Sequence, residues 1–384
     1  VWIQLQNVWP FVYALCGPGA WCVFAFAMYK GRRRLRIRLA PVPVLEKYPR
    51  VTVIVPCRNE QTLIEPCLKS ILAQDYPDFS VIAVNDRSTD RTGDVINTLA
   101  SHDSRLIARH VLDDELPAGW LGKPNAARLG AEHSTGNWLV FIDSDCTLAP
   151  HAVREAIVTG ERREFDLVSF IPRFVGTGFW DSLMTPLCGI ATGGMFGLMY
   201  ANSSALPKVA FACGQFIAIR RTIYDTIGGH ASVKDTAGED VQLARLLKRA
   251  GHRPRLGWGL DLVHTTMYGG LPEVLRGWGR NFIAASRGKP WRVLGAMTFT
   301  VLCVFSIWPA MFSNDARLHL IAALHAALIT TLLAIAYAQA GSRAWRAWLW
   351  PLSSVVLMAI FMRSLWACVT GRVMWRGQSY AVKQ

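Results

Sequence analysis

Trp138-Leu-Val-Phe-Ile-Asp143-Ser144-Asp145-Cys146 decides how this chain is read. Five apolar residues, several of them β-branched or aromatic, predict a buried strand that runs straight into two carboxylates. An extended chain alternates its faces, so Asp143 and Asp145 point one way and Ser144 the other. Two hard oxygen donors at the carboxyl end of a strand suit Mg²⁺ or Mn²⁺ carrying a diphosphate. An isolated Asp-x-Asp is more often a solvated turn, so the surrounding segments have to decide.

Upstream, strand and helix patterns alternate. Val51-Thr-Val-Ile-Val55 reads as a strand ended by Pro56, and a helix is expected from Thr62 to Gln74. Val81-Ile-Ala-Val84 is a second strand, ending in Asn85-Asp86. Ser88-Thr-Asp90 then caps a helix that runs to Leu99. Leu106 to Val111 is a third strand, Pro124 to Glu132 a helix, and the opening stretch the next strand. This order predicts a parallel, doubly wound α/β sheet with ligands beyond the carboxyl ends of its strands. Arg58, Asn59, Glu60, Asp86, Asp143 and Asp145 all fall at such ends. Downstream, Phe211 to Ile219 is expected to be a strand. Glu239 to Ala250 is an amphipathic helix, with Lys248 and Arg249 in its last turn and Gly251 just past it.

The 384 residues hold more than one α/β domain needs, and the surplus is apolar. A hydrophobic fraction of 52% with fifteen Trp and only 18% charge points to membrane segments. Val8 to Tyr29 is uncharged and long enough to span, with Gly17, Pro18 and Gly19 expected to kink it. Arg32, Arg33, Arg34, Arg36 and Arg38 follow it directly, which orients a retained anchor with Lys30 onwards in the cytoplasm. That placement explains much of the net charge of +14 and excludes nucleic acid as the partner, since no recognition motif accompanies it. Nine scattered cysteines without C-x-x-C spacing read as reduced thiols rather than as zinc ligands.

Val293 to Phe312, Leu318 to Gln339 and Leu349 to Thr370 each have the length of a span. Three crossings after a cytoplasmic domain would put Arg372, Arg376 and Lys383 outside, against the charge rule, and Arg363 inside the last span. The last segment therefore reads either as a crossing or as a re-entrant or interfacial hairpin. Gly176 to Asn202, apolar and rich in Gly and Met, is expected to be interfacial or acceptor-facing rather than spanning. The expected division is an anchor at 1–30, a basic linker at 31–50, a catalytic region at 51–290 and membrane helices at 291–384. The catalytic region divides into a nucleotide-binding half at 51–150 and an acceptor half at 151–290.

With these pieces placed, the chain resembles a membrane-anchored family 2 glycosyltransferase of the GT-A fold. The residues that carry the resemblance are Val53-Ile-Val-Pro-Cys-Arg-Asn-Glu60, Val84-Asn-Asp-Arg-Ser-Thr-Asp90, Gly122-Lys123, Asp143-Ser-Asp145, Gly214-Gln-Phe216 and Gly238-Glu-Asp240. The resemblance implies a doubly wound mixed sheet, inverting transfer from a nucleotide sugar such as a UDP-hexose, and dependence on Mg²⁺ or Mn²⁺. Glu60 and Asp86 match positions serving the base and ribose, and Lys123 lies in a region that borders the donor. Asp145 would contact the metal directly, with Asp143 shared between metal and donor, and Asp240 matches the general base. His264 is a candidate third metal ligand. Arg276 and Arg280, in Arg276-Gly-Trp278-Gly-Arg280-Asn281, replace the Gln- or Arg-x-x-Arg-Trp of many members and are expected to clamp the diphosphate.

Leu116-Pro-Ala-Gly-Trp120, Met267-Tyr268 and Trp375-Arg-Gly-Gln-Ser-Tyr380 are similar to bacterial enzymes that glycosylate hopanoid-type, carotenoid-acid and ceramide-type lipids. A membrane lipid acceptor and a multi-pass protein of the cytoplasmic membrane follow as expectations. The competing readings are a polyprenyl-phosphate sugar transferase, a polysaccharide synthase and a non-catalytic nucleotide-sugar-binding membrane protein.

Overall fold

The computed structural model describes residues 2–35, 45–176, 178–206, 208–236, 238–375 and 378–381. Arg36 and Arg38 of the basic run, Arg376 and Lys383 lie outside them. The chain divides into two compact units. One comprises residues 34–173 and 200–266, the other residues 1–33, 174–199 and 267–384.

The first unit is built on a sheet of eight strands: β1 (Val51–Cys57), β2 (Phe79–Asp86), β3 (Leu106–Val111), β4 (Trp138–Ile142), β5 (Cys146–Leu148), β6 (Leu167–Phe174), β7 (Phe216–Arg220) and β8 (Pro254–Thr265). Their order across the sheet is β3-β2-β1-β4-β7-β6-β8-β5. β3, β2, β1 and β4 are parallel, with Val51 opposite Trp138 and Ile54 opposite Phe141. β7 runs antiparallel to β4, and β6 antiparallel to β7. The sheet is therefore mixed, and its direction changes at the strand that ends in Asp143.

β4 sits at that centre because all five of its side chains are buried. Leu139, Val140, Phe141 and Ile142 each contribute roughly 1.5–3 kcal/mol by leaving water. Trp138 lies against Gly160, where an added Cβ would stand 2.5 Å from the indole. Its Nε1 donates to Glu161 Oε1 at 2.7 Å, so the one polar atom of the ring is satisfied. Helices at Ile64–Leu72, Thr92–His102 and Gly122–Glu132 join the parallel strands. The N-cap of the second is Arg91, without a side-chain capping bond, and the expected cap Asp90 lies one residue earlier, its Oδ1 accepting from the Thr92 N–H at 3.0 Å.

The expected strand from Phe211 is shorter than the sequence implies. Only Phe216–Arg220 pairs along its length, and residues 211–215 form a loop. Cys213 N–H donates to Ser169 Oγ at 2.8 Å and Gly214 N–H to Asp240 Oδ2 at 2.8 Å, so side chains take the backbone donors that a ladder would have used.

The second unit is helical. Among the described residues four helices are long and apolar enough to cross a membrane: Val8–Leu35, Pro290–Met311, Ala316–Gln339 and Ala344–Thr370. Gly17, Pro18 and Gly19 fall in a π-helical turn, Leu15–Gly19, so the first helix absorbs its proline in one widened turn. Two further helices, Phe179–Phe196 and Leu271–Ser286, pack with the membrane-length ones in a single apolar core that includes Leu183, Trp278, Phe282, Ile329 and Phe361. A short hairpin of β9 (Arg372–Trp375) and β10 (Gln378–Ala381) follows.

Candidate active site

The carboxyl ends of β1 and β2 open into two loops that are bonded to each other. Asn59 adopts a left-handed φ of 55°, which its short amide tolerates, and its Oδ1 accepts the Thr89 N–H at 2.8 Å. Asn59 N–H donates to Ser88 Oγ at 3.0 Å, Glu60 N–H to Thr92 Oγ1 at 2.8 Å, and Gln61 N–H to Asp90 Oδ2 at 3.2 Å. Glu60 is thus held by its backbone. Asp86, the last residue of β2, is buried with its Oδ1 accepting from Arg87 Nε at 2.7 Å. Its other oxygen lies 2.3 Å from where a Cβ on Gly122 would stand, so only glycine allows the helix start to approach.

That approach delivers Lys123 to the end of β4. Its ammonium stands 2.6 Å from Asp143 Oδ1 and 3.0 Å from Glu239 Oε1. Asp240, the next residue, accepts from Gly214 N–H at 2.8 Å through Oδ2 and from Val241 N–H at 2.7 Å through Oδ1. A Cβ on Gly214 would meet Asp240 Oδ2 at 3.2 Å, Lys123 Nζ at 3.3 Å and Asp143 Oδ2 at 3.5 Å, which marks where the three groups converge. Pro56, Phe141, Ile217 and His230 complete the lining of this pocket.

Four acidic side chains and one ammonium share the region, and their proton affinities separate accordingly. Burial, reinforced by the neighbouring Glu239 charge, pushes Asp240 up to about 7. Burial works against ionised Glu239 too, but the Lys123 ammonium holds it below the usual carboxylate range. Lys123 is in turn held well above the ordinary lysine range, because the attraction of Asp143, Glu239 and Asp240 outweighs its desolvation. Asp145 is pushed up to about 7 by burial and by the charge of Asp143. Its Oδ1 accepts from Cys146 Sγ at 3.3 Å, and Thr266 N–H donates to its backbone oxygen at 3.2 Å. His230 is buried, bonded through Nδ1 to Tyr224 Oη at 2.9 Å, and burial lowers it to about 4.

Lys123, Asp143 and Asp240 therefore come together in one pocket, as their positions at strand and helix ends imply. Asp145 and Glu60 lie close enough for the charge of Glu60 to act on Asp145. His264 sits on β8, opposite Thr147 of β5. Among the described residues no group of three or more His, Cys, Asp and Glu side chains is placed to hold a metal ion. Arg276 and Arg280 lie four apart on the helix Leu271–Ser286 of the helical unit. Sequence reasoning assigned no role to Glu239, Gly214 and His230. The first two lie in the quoted Gly-Glu-Asp and Gly-Gln-Phe motifs, whereas nothing local marks His230.

A half-parallel sheet with carboxylates at the point where its direction changes is the fold of a GT-A glycosyltransferase. Residues 52–228, a little under half of the chain, match the model of glycosyl transferase family 2. It is 25% identical over 257 residues to the probable glycosyltransferase YdaM of Bacillus subtilis (strain 168), covering 65% of this chain and 57% of that protein. Identity is also 25% over 252 residues to the 4,4'-diaponeurosporenoate glycosyltransferase of Staphylococcus aureus (strain MRSA252), covering 64% of each. The chain thus spans under two thirds of the length of these two relatives. Among solved structures, the mannosyltransferase PcManGT from Pyrobaculum calidifontis, in complex with GDP-Man and Mn²⁺, shares the fold. Its TM-score is 0.53 at 21% identity, over 94% of this chain and 97% of that one.

Proposed function

We propose that this protein is an inverting, metal-dependent glycosyltransferase that moves a hexose from a nucleotide diphosphate donor, a UDP-sugar, to a membrane lipid. The observation that carries this reading is the pocket in which Asp240 faces the Lys123–Asp143 pair across Gly214. Asp240 is the general base. Two backbone N–H groups fix its carboxylate, and Lys123 holds the neighbouring Glu239 ionised, which leaves Asp240 as the group able to take up a proton near neutrality.

As the acceptor oxygen attacks the anomeric carbon, its proton passes to Asp240 and the bond to the diphosphate breaks on the opposite face. A single displacement of this kind inverts the anomeric centre. A base serves a hydroxyl acceptor; a carboxyl acceptor would arrive already ionised. Glu60 and Asp86 are assigned to the base and ribose, their loops being bonded to each other. Arg276 and Arg280 are assigned to the diphosphate.

The residues present fit a divalent cation. Asp143 is bonded to Lys123 and Asp145 accepts from the Cys146 thiol on Oδ1, so carboxylate oxygens of both stand just beyond β4. Asp145 and Asp143 would hold Mg²⁺ or Mn²⁺, which supplies charge neutralisation for a departing diphosphate. PcManGT was solved with Mn²⁺ and GDP-Man, and a divalent cation with a nucleoside diphosphate sugar, here a UDP-sugar, is what we assign. A lipid acceptor rests on the four membrane-length helices and on the relatives that act on diaponeurosporenoate. We place the protein in the cytoplasmic membrane with residues 51–290 as the cytosolic catalytic region.

The test is incubation of the purified protein with several nucleotide sugars and a membrane lipid extract. A glycolipid one hexose heavier, formed in step with nucleoside diphosphate, is expected by mass spectrometry. Nucleotide release without any glycolipid would refute the lipid acceptor.

The pH dependence follows from the same groups. Transfer needs Asp240 ionised, and its carboxyl is pushed up to about 7. At saturating metal and donor, kcat is therefore expected to rise with pH through about 7 and to fall about tenfold per pH unit below it. A profile flat between pH 5 and 8 would remove Asp240 from the chemistry.

A further inference from the structure

The last membrane-length helix does not have the geometry of a crossing. Pro290–Met311 and Ala316–Gln339 form a hairpin closed by residues 312–315. His325 Nε2 lies 3.1 Å from the Cys303 carbonyl oxygen, and these residues stand at nearly equal distances from the turn, so the two helices are in antiparallel register. Pro290 and Tyr337 are therefore at the same end of the hairpin. The first helix joins the hairpin in the middle, where Trp21 Nε1 donates to the Cys303 oxygen at 2.6 Å and Tyr13 Oη bonds His325 Nδ1 at 3.0 Å.

The end that holds Pro290 and Tyr337 is covered by a helix lying across it. Tyr337 Oη donates to the Leu183 oxygen at 2.6 Å and Arg292 Nη2 to the Met195 oxygen at 2.8 Å, so Phe179–Phe196 bridges from one hairpin strand to the other. Gly31 packs on Met199, which brings the basic end of the first helix to the same place.

The segment from Ser342 to Cys368 begins and ends there too. At its start, Arg346 Nη1 donates to Ser342 Oγ at 2.9 Å, and Ser342 Oγ donates to the Ser182 oxygen at 2.8 Å. Near its far end, Ser364 Oγ donates to the Gly279 oxygen at 3.0 Å and Cys368 Sγ lies 3.7 Å from Ser286 Oγ, four residues before Pro290. Between these points it dips, the Trp350 ring standing 6.0 Å from that of Trp308.

From this juxtaposition we infer that residues 342–370 are re-entrant: the segment enters and leaves the bilayer on one side, turning near Trp350, and three of the four membrane-length helices cross. The charges agree. Lys30, Arg33, Arg287, Lys289, Arg292, Arg343 and Arg346 gather at that end, which the positive-inside rule assigns to the cytoplasm. Trp291, Trp345, Trp348 and Trp366 are exposed, as interfacial indoles are. Arg363, costly at the centre of a span, is exposed next to Ser364, which is bonded to the Gly279 oxygen at the shared end. Arg372 then falls on the cytoplasmic side, in keeping with the charge rule.

The test is topological and does not depend on activity. Full-length protein carrying green fluorescent protein at its C-terminus is expected to fluoresce in cells, and the same chain carrying alkaline phosphatase to be inactive. In intact cells a membrane-impermeant maleimide is expected to label Asn314→Cys and to leave Ser379→Cys unlabelled until the membrane is permeabilised, each variant being made in a background whose own cysteines are replaced. Phosphatase activity at the C-terminus, or labelling of Ser379→Cys in intact cells, would overturn the inference.

Discussion

Asp240→Asn is expected to lower kcat for sugar transfer by about 10²–10⁴-fold while leaving donor affinity within about twofold. The amide keeps the shape of the carboxylate and an oxygen to accept the Gly214 N–H now held at 2.8 Å, so the helix start at Glu239–Arg249 keeps its place. What is lost is the site that receives the proton. Glu239 is the control, because it lies one residue away and is equally enclosed. Its carboxylate is tied to Lys123 at 3.0 Å and held below the usual range, which makes it a poor proton acceptor near pH 7. Glu239→Gln is therefore expected to alter donor affinity through Lys123 more than to abolish the limb near pH 7. Steady-state kinetics beside a donor-binding titration separates the two. An active Asp240→Asn enzyme with a dead Glu239→Gln enzyme would transfer the base to Glu239.

The parallel half of the sheet was legible because its evidence is local. Val51–Val55, Val81–Val84 and Trp138–Ile142 are largely apolar runs ended by Pro56, Asn85 and Asp143, and each begins, lies within or forms a strand of the structure. Strand ends also locate Asp143 and Asp86, and a helix start locates Asp240. Pairings between distant segments are not local. Nothing in residues 239–240 shows that Lys123 reaches Glu239 and not Asp240, and the loop at 211–215 carries a strand-like pattern until Ser169 and Asp240 take its N–H groups. The same limit applies to Phe179–Phe196. Its apolar face is compatible with lipid, acceptor or protein, and only the bonds from Tyr337, Ser342 and Arg292 show that it covers the hairpin.

Removal of the divalent cation is the second large effect. Chelation of the wild type, or Asp145→Ala, is expected to reduce transfer by about 10³-fold or more, since charge stabilisation at a leaving diphosphate is worth several kcal/mol. Stability reads the same site without turnover. Burial and the charge of Asp143 push Asp145 up to about 7 in the folded protein, against about 3.9 in an unfolded chain. A carboxyl raised in this way contributes stability that is fully present below about pH 4 and lost as pH rises through 7. The cation-free protein should accordingly lose stability towards pH 8, where the ionised pair is most in need of a cation. Protons compete with the metal for a carboxyl of this affinity, so Mn²⁺ should bind about tenfold more weakly at pH 6 than at pH 8. At about 100 times its Kd, Mn²⁺ adds about 2.7 kcal/mol, which for a domain of this size raises Tm by roughly 5–10 °C at pH 8 and by about half that at pH 6. The comparison needs one detergent and one scan rate, because unfolding of a membrane protein is seldom reversible. Asp145→Ala should abolish the Mn²⁺ shift at both pH values. Should that variant keep the full shift, or the chelated wild type keep its transfer rate, the cation does not sit on the Asp143–Asp145 pair.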